Sequence, residues 1–427
     1  MSRIRADRYT NREGTGAPTF ADGVNVVGIS SLGITTVTGV GQTALTVNGD
    51  ARITGVLTVG QGSVTIDGTS GNSSITGVTT AGIGSVYGVD SINDLGFPNA
   101  GPLSNRNLII NGAMTVAQRG TSFTSATGGT FVTDRWKYEK FAPAGAVHTI
   151  EQSTDAPAGF TYSIKATTTT TGTLPAGSFY QFLYHFEAQN ISQIQYGTAN
   201  AQTLTLSFWV KAKLAGTYPV SFQHPLGTRV YPATYTVNNA DTWEYKTVTL
   251  AGDTGGTWTM TGNVAGLRLS FNWGMGSDYT GGTAGAWAAA SSFLNLASTS
   301  GPDVNGTVGN YIQFAGVQLE VGSKATPFEH RSYGQELALC QRYYFERNIT
   351  TVGFYATGAS HTLHTSVGAP VTMRATPTTY PISGSTDVKC SVATAGATKT
   401  DIRLDVTSTE TGQNYAIGGI IKATAEL

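Results

Sequence analysis

The chain has 427 residues, of which only 12% are charged and 40% hydrophobic, with 54 glycines and a net charge of −1. That balance, with no Lys/Arg stripe, excludes the electrostatic footprint of a nucleic-acid binder. No stretch approaches the roughly 18 apolar residues of a membrane span, and Met1–Arg8 lacks the apolar core of a signal peptide, so the expected product is soluble, not inserted in a membrane, and made in a cytoplasm. Abundant Thr, Ser, Gly and Val favours strands and turns, and the length suits two or three domains.

Residues 1–22 are polar, with Arg3, Arg5, Arg8 and Arg12 between Asp7 and Glu13, and read as a docking arm or a frayed terminus. Residues 23–102 form a Gly/Val/Thr-rich segment with no aromatic between Phe20 and Tyr87. The phrase Val37-Thr38-Gly39-Val40 returns at Ile53–Val56 and Ile75–Val78, and pairs such as Leu45/Val47 and Val64/Ile66 alternate with polar residues as short strands do. A thin aliphatic ribbon of this kind is a poor candidate for folding alone. Three copies wound into an intertwined β shaft would bury its aliphatics and close its sheet edges; the alternative is a flexible linker.

Aromatics return after Phe97-Pro98, and 103–332 shows alternating runs spaced as in a β-sandwich: Leu204–Val210, Trp243–Leu250, Leu267–Phe271 and Tyr311–Val321. In the first, Leu204, Leu206, Phe208 and Val210 share one face and Trp209 points the other way. The final region, 333–427, opens with a helix expected over 335–346, whose apolar face carries Leu337, Cys340 and Tyr344 and could meet its copies at a trimer axis. Strand patterns resume after Arg347. Asp401–Val406 alternates so that Ile402, Leu404 and Val406 should be core.

Several separated segments resemble one family. Asn105-Arg106-Asn107-Leu108-Ile109-Ile110-Asn111-Gly112-Ala113-Met114, then Gln118-Arg119-Gly120 and Asp134-Arg135-Trp136, resembles the opening of a jelly-roll domain of phage tail fibres and receptor-binding proteins. Leu206–Ala212 fits its central strand, and Gly316-Val317-Gln318-Leu319-Glu320-Val321-Gly322, Ala325–Arg331, Tyr343-Tyr344 and Met373–Pro377 follow in order. The repeats before residue 90 are similar to N-terminal stretches of cyanophage structural proteins. The resemblance implies an elongated, all-β homotrimeric fibre with a jelly-roll related in shape to carbohydrate-binding modules. It implies a place in the virion tail, the N-terminal arm contacting tail or baseplate proteins, and a partner in host surface polysaccharide or lipopolysaccharide.

Cleaving such a glycan needs two positioned carboxylates, and Asp241/Glu244, Asp278 and Asp303 have no motif around them. The expectation is therefore an adhesin and not an enzyme; a structural tail connector and a depolymerase tailspike are the alternatives. Cys340 and Cys390 lack zinc spacings and read as buried thiols, and His361 and His364, three apart on a strand, should face opposite ways, so neither metal nor cofactor is expected. Sugar sites combine aromatic platforms with short polar side chains. Trp273, Asp278, Tyr279 and Trp287, in the long Gly/Ser/Thr-rich stretch before Tyr311, fit that description, unless Trp273 and Trp287 cap the sandwich as core. The fallback is Phe354, Tyr355 and His361.

Overall fold

The computed structural model describes residues 105–427 apart from 143, 144, 292, 293, 350, 351, 381, 383–385, 389 and 418. The docking arm and the whole of the shaft expected over 23–102 lie outside the described residues.

Ten strands build a sandwich: β1 Trp136–Phe141, β2 Val147–Ser153, β3 Ser163–Thr170, β4 Phe179–Glu187, β5 Leu204–Ala212, β6 Gly216–Gln223, β7 Arg229–Val237, β8 Glu244–Leu250, β9 Ala265–Met275 and β10 Tyr311–Val321. They form two antiparallel sheets in the orders β2-β3-β10-β5-β8 and β7-β6-β9-β4-β1, each extended by strands of two residues. Alternation along each strand fills the space between them. Leu204, Leu206, Phe208 and Val210 of β5 face Leu267, Leu269, Phe271 and Trp273 of β9 and Tyr180, Phe182, Tyr184 and Phe186 of β4 in one buried cluster. Trp209 lies on the outer face of its sheet opposite Tyr245, the rings 5.5 Å apart.

The segments that carry the family resemblance meet one another in space. Asn111, held at a left-handed φ of 60°, donates its side-chain amide to the carbonyls of Val116 and Asp134 and accepts from the Val116 N–H. Asn107 bonds the Val317 carbonyl and the Leu319 N–H of β10. Gly316 sits at a bulge in β10 with φ +57°, and any Cβ there would strike the Phe160 ring at 2.4 Å, so glycine is required on two counts. Glu320 then accepts from both the Thr326 N–H and hydroxyl, and Glu329 from the Asn105 and Asn107 N–H groups. The 316–331 motif is a strap of satisfied buried polar groups that pins the start of the sandwich to its last strand.

The helix, α1, spans Tyr333–Gln341, opened by a capping box between Ser332 and Gln335. It is shorter than the expected 335–346 because Tyr344 enters a strand, β11 Tyr344–Asn348, paired with Ile420–Thr424. This corrects the expected helical face of Leu337, Cys340 and Tyr344. Cys340 is fully buried with Ile110, Val116 and Tyr343, Leu337 packs on that cluster, and Tyr344 is not helical, so all three residues are used within the chain. Arg135 lies 3.5 Å over the Tyr343 ring and Arg119 3.5 Å over Tyr344, while Arg342 and the Tyr343 hydroxyl both bond Glu187 of β4. These contacts fasten the C-terminal strands to the sandwich.

Beyond β11 come β12 Val352–Ala356, β13 Thr362–Gly368, β14 Cys390–Ala397, β15 Asp401–Ser408, β16 Gly412–Ile417 and β17 Ile420–Thr424, in three small antiparallel sheets. Ile402, Leu404 and Val406 of β15 point inward as their alternation requires. Cys340 and Cys390 are both buried. No helix among the described residues is long and apolar enough to cross a membrane.

Candidate functional site

On the sheet β7-β6-β9-β4-β1, the inward parity is aromatic and aliphatic and the outward parity is polar. Across three adjacent strands, Glu139 of β1, Gln181 of β4 and Asn272 of β9 are register partners on the outer face, and Arg268 of β9 stands opposite Gln223 of β6. Over this face lies a recess of about 250 Å3, lined by Glu139, Phe179, Gln181, Gln223, Arg268, Tyr279 and Leu296.

The floor is organised by its own hydrogen bonds. Gln181 donates Nε2 to Glu139 at 3.2 Å, and Lys137 holds the other oxygen of the same carboxylate. Gln223, 1% exposed, donates Nε2 to the hydroxyls of Ser221 at 3.1 Å and Ser270 at 3.0 Å. The Arg268 guanidinium is 3.9 Å from Glu139; burial lowers its pKa from the ordinary value, with Glu139 acting the other way. Side chains fixed in this way present polar atoms at little further entropic cost, as a binding floor should.

One edge of the recess is aromatic. The Phe141 and Phe179 rings stack 6.2 Å apart, and Tyr279 meets Phe179 edge-on at 5.3 Å. Phe141 is 57% exposed, an uncommon position for a large apolar side chain. Tyr279 is set there by a short 3-10 turn, Ser277–Tyr279, and by the Ala297 N–H donating to its carbonyl at 2.8 Å. Burial, helped by the Asp278 charge, raises the Tyr279 pKa, so its phenol is a neutral hydroxyl at physiological pH.

The four residues expected to form one platform are therefore separated. Tyr279 lines the recess. Trp273 does not: it is fully buried in the sandwich core, 4.8 Å from Phe182, because β9 runs on past Phe271 to Met275 and keeps residue 273 on the inward parity. Trp287 is half-buried in an edge cluster with Trp258, Tyr196 and Tyr231, its Nε1 donating to the Ala251 carbonyl at 2.8 Å, which makes it a packing residue. Asp278 is exposed beside Tyr279 and is not part of the lining. In the C-terminal region, Phe354 packs on the Cys390/Val406 cluster while Tyr355 is 74% exposed, and the His361 N–H donates to Ser408 Oγ.

Sequence reasoning missed Glu139, Phe141, Phe179, Gln181, Gln223 and Arg268. Their one signal was parity: each lies on the outward face of a strand whose inward face is core.

Of the carboxylates weighed for catalysis, Asp241 and Glu244 are engaged structurally. Asp241 accepts from Lys213 and from the Tyr311 hydroxyl, and Glu244 from the Asn238 and Asn239 N–H groups and Lys246. Among the described residues, no three His, Cys, Asp or Glu side chains gather where they could hold a metal ion.

No protein-family model and no curated protein matches the chain. Among solved structures, it is similar to the enzymatically active domain of tailspike protein 4 of bacteriophage CBA120, with 13% identity and a TM-score of 0.28 over 50% of this chain. That match spans only 21% of the tailspike chain. It is also similar to the xylan-binding domain from Paenibacillus barcinonensis, with 9% identity and a TM-score of 0.22 over 48% of this chain and 94% of the other. A third similarity is to the family 11 carbohydrate-binding module from Clostridium thermocellum in complex with a β-1,3-1,4-mixed-linked tetrasaccharide: 8% identity and a TM-score of 0.23 over 48% and 98%.

Proposed function

We propose that this chain is a phage tail-fibre adhesin that holds a host envelope glycan in the recess on the outer face of β1, β4, β6 and β9, without cleaving it. The observation that carries the reading is the recess itself: an aromatic edge of Phe179 and Tyr279, with Phe141 stacked on Phe179, beside a fixed polar floor of Gln181, Gln223, Glu139 and Arg268. Sugars have apolar C–H faces and hydroxyl edges, and such a site meets both. The tail-fibre assignment is supported by the resemblance of the 105–119, 134–136, 206–212 and 316–331 motifs, and a binding role by the structural partners of Asp241 and Glu244. Tail or baseplate proteins are the proposed partners of the N-terminal arm, and the virion tail is its proposed place.

Binding of the labelled protein to intact host cells tests this. Tyr279→Ala and Phe141→Ala should each weaken binding at least tenfold with melting temperatures within a few degrees of the parent, since Phe141 is exposed and Tyr279 is half-buried outside the space between the two sheets. A parent protein that fails to bind host cells would favour a structural connector, and release of shortened oligosaccharides from host polysaccharide would make the chain a tailspike enzyme.

The proposed assembly is a homotrimer, on the ground that the 23–102 ribbon carries too thin an apolar content to fold alone. Sedimentation equilibrium should return three times 44.5 kDa. A monodisperse monomer at micromolar concentration would overturn both the trimer and the shaft.

A further inference from the structure

We infer that the ligand of this recess is a neutral sugar residue that places a hydroxyl on the side-chain carbonyl of Gln181; the inference rests on the glycan reading above. Gln181 is 3% exposed and lines the recess. Its amide orientation is fixed by chemistry: Glu139 can only accept, so the Gln181 amino group must face it and the carbonyl oxygen must face away. That oxygen, Oε1, is buried with no hydrogen-bond partner, as is Oδ1 of its cross-strand neighbour Asn272.

A buried amide oxygen without a partner is destabilising, and a ligand that supplies a donor recovers what folding left unmade. Oε1 lies just beneath the surface. The terminal torsion of a glutamine side chain is broad, so a small turn that keeps the long Nε2 bond to Glu139 can bring Oε1 to an entering hydroxyl. Gln181 therefore acts as a specificity-determining residue: a ligand with a donor at this point is favoured over the same ligand without one.

The charges set the class. Two ionic groups line the recess, Glu139 and Arg268, of opposite sign and 3.9 Å apart, Glu139 being paired from behind the lining with Lys137 as well, and the rest of the floor is neutral amide. An anionic sugar would bring its carboxylate against Glu139, whose attraction to Arg268 it would have to displace. A neutral one disturbs neither. The volume of about 250 Å3 falls below the range of drug-sized sites and suits a single sugar ring.

The test uses the full chain and saturation-transfer NMR with the methyl pyranosides of glucose, galactose and mannose, beside the uronates of glucose, galactose and mannose. At least one neutral glycoside should bind, with its uronate at least tenfold weaker. Among monodeoxy analogues of the sugar that binds, one should lose about tenfold against the parent protein and nothing further against Gln181→Leu, the coupling expected of two groups in contact. Equal or tighter binding of the uronate, or a Gln181→Leu protein that still discriminates every deoxy analogue, would overturn the inference while leaving a glycan site in place. Binding of none of the six sugars would overturn the glycan reading and the inference together. Gln181→Met supplies the same comparison if Gln181→Leu fails to fold.

Discussion

Replacing Trp273 by Ala should cost the sandwich about 3–5 kcal/mol and lower its melting temperature by about 10 °C or more. The ring is fully buried between the sheets, against Phe182 at 4.8 Å, stacked near Tyr138 at 6.1 Å and edge-on to His148 at 6.0 Å. Removing it leaves a cavity that flanking β-strands, tied by ladder hydrogen bonds on both sides, cannot collapse to fill. Trp273→Phe should be much milder, under about 2 kcal/mol, because it keeps most of the volume and discards an indole N–H that has no partner. Thermal melts of the two variants beside Tyr279→Ala give the comparison. A Trp273→Ala protein that melts like the parent would place the ring outside the core, and the description of β9 would then be wrong.

The contrast between Trp273 and Tyr279 shows how far the sequence could be read. Both stand in one Gly/Ser/Thr-rich stretch, and composition treats them alike. What separates them is where β9 stops. The clear alternation ends at Phe271, after which Asn272, Gly274 and a register shift against β4 conceal two further strand residues. Once the strand is known to reach Met275, parity sends Trp273 inward, while Tyr279 falls beyond the strand end. Where alternation was uninterrupted, as in 204–210 and 401–406, the inward residues were identified correctly.

The recess itself was illegible for a different reason. Glu139, Gln181, Gln223 and Arg268 come from four strands that are distant in sequence, and outward polar residues on a strand normally mean a solvated face. Nothing local marks Gln181 or Gln223 as buried on the outer side; only the segment carrying Tyr279 and Leu296, lying over that face, makes them so. The helix end was misjudged because Leu337, Cys340 and Tyr344 satisfy a helical spacing, whereas Tyr344 has a better use in pairing with Thr424 and in receiving Arg119 on its ring. Spacing alone could not reveal that the apolar face of α1 is covered by the chain's own Ile110 and Val116.

Acid should weaken the sandwich by charging histidines that the fold keeps neutral. His148 of β2 is fully buried, accepting at Nδ1 from the Tyr138 hydroxyl at 2.9 Å and donating from Nε2 to Asn305 Oδ1 at 3.0 Å, the tautomer these partners require. Burial pushes its pKa down to about 4 from 6.5, with the Asn305 bond acting the other way and Lys140 adding to the depression. The folded state therefore binds the neutral ring, while the unfolded chain takes up a proton once the pH passes below about 6.5. Between these values the unfolded state holds more protons, so stability must fall as the pH falls. His148 contributes stability that is fully present above pH 6.5 and lost as the pH drops through about 4, about 3 kcal/mol in all. Asp155 and Glu244, both held near 2 by their partners against the opposing effect of burial, add their own losses only below their ordinary values of 3.8 and 4.5. His185, which burial pushes down to about 3, and His224, lowered by burial as well, titrate in the same upper window with the same sign. Urea unfolding of the parent at pH 7.5, 6.0 and 5.0 should show a decline, and His148→Asn, though less stable throughout, should show a shallower one over that interval. A His148→Asn protein whose midpoint falls as steeply as the parent's would mean that His148 is not held neutral by the fold.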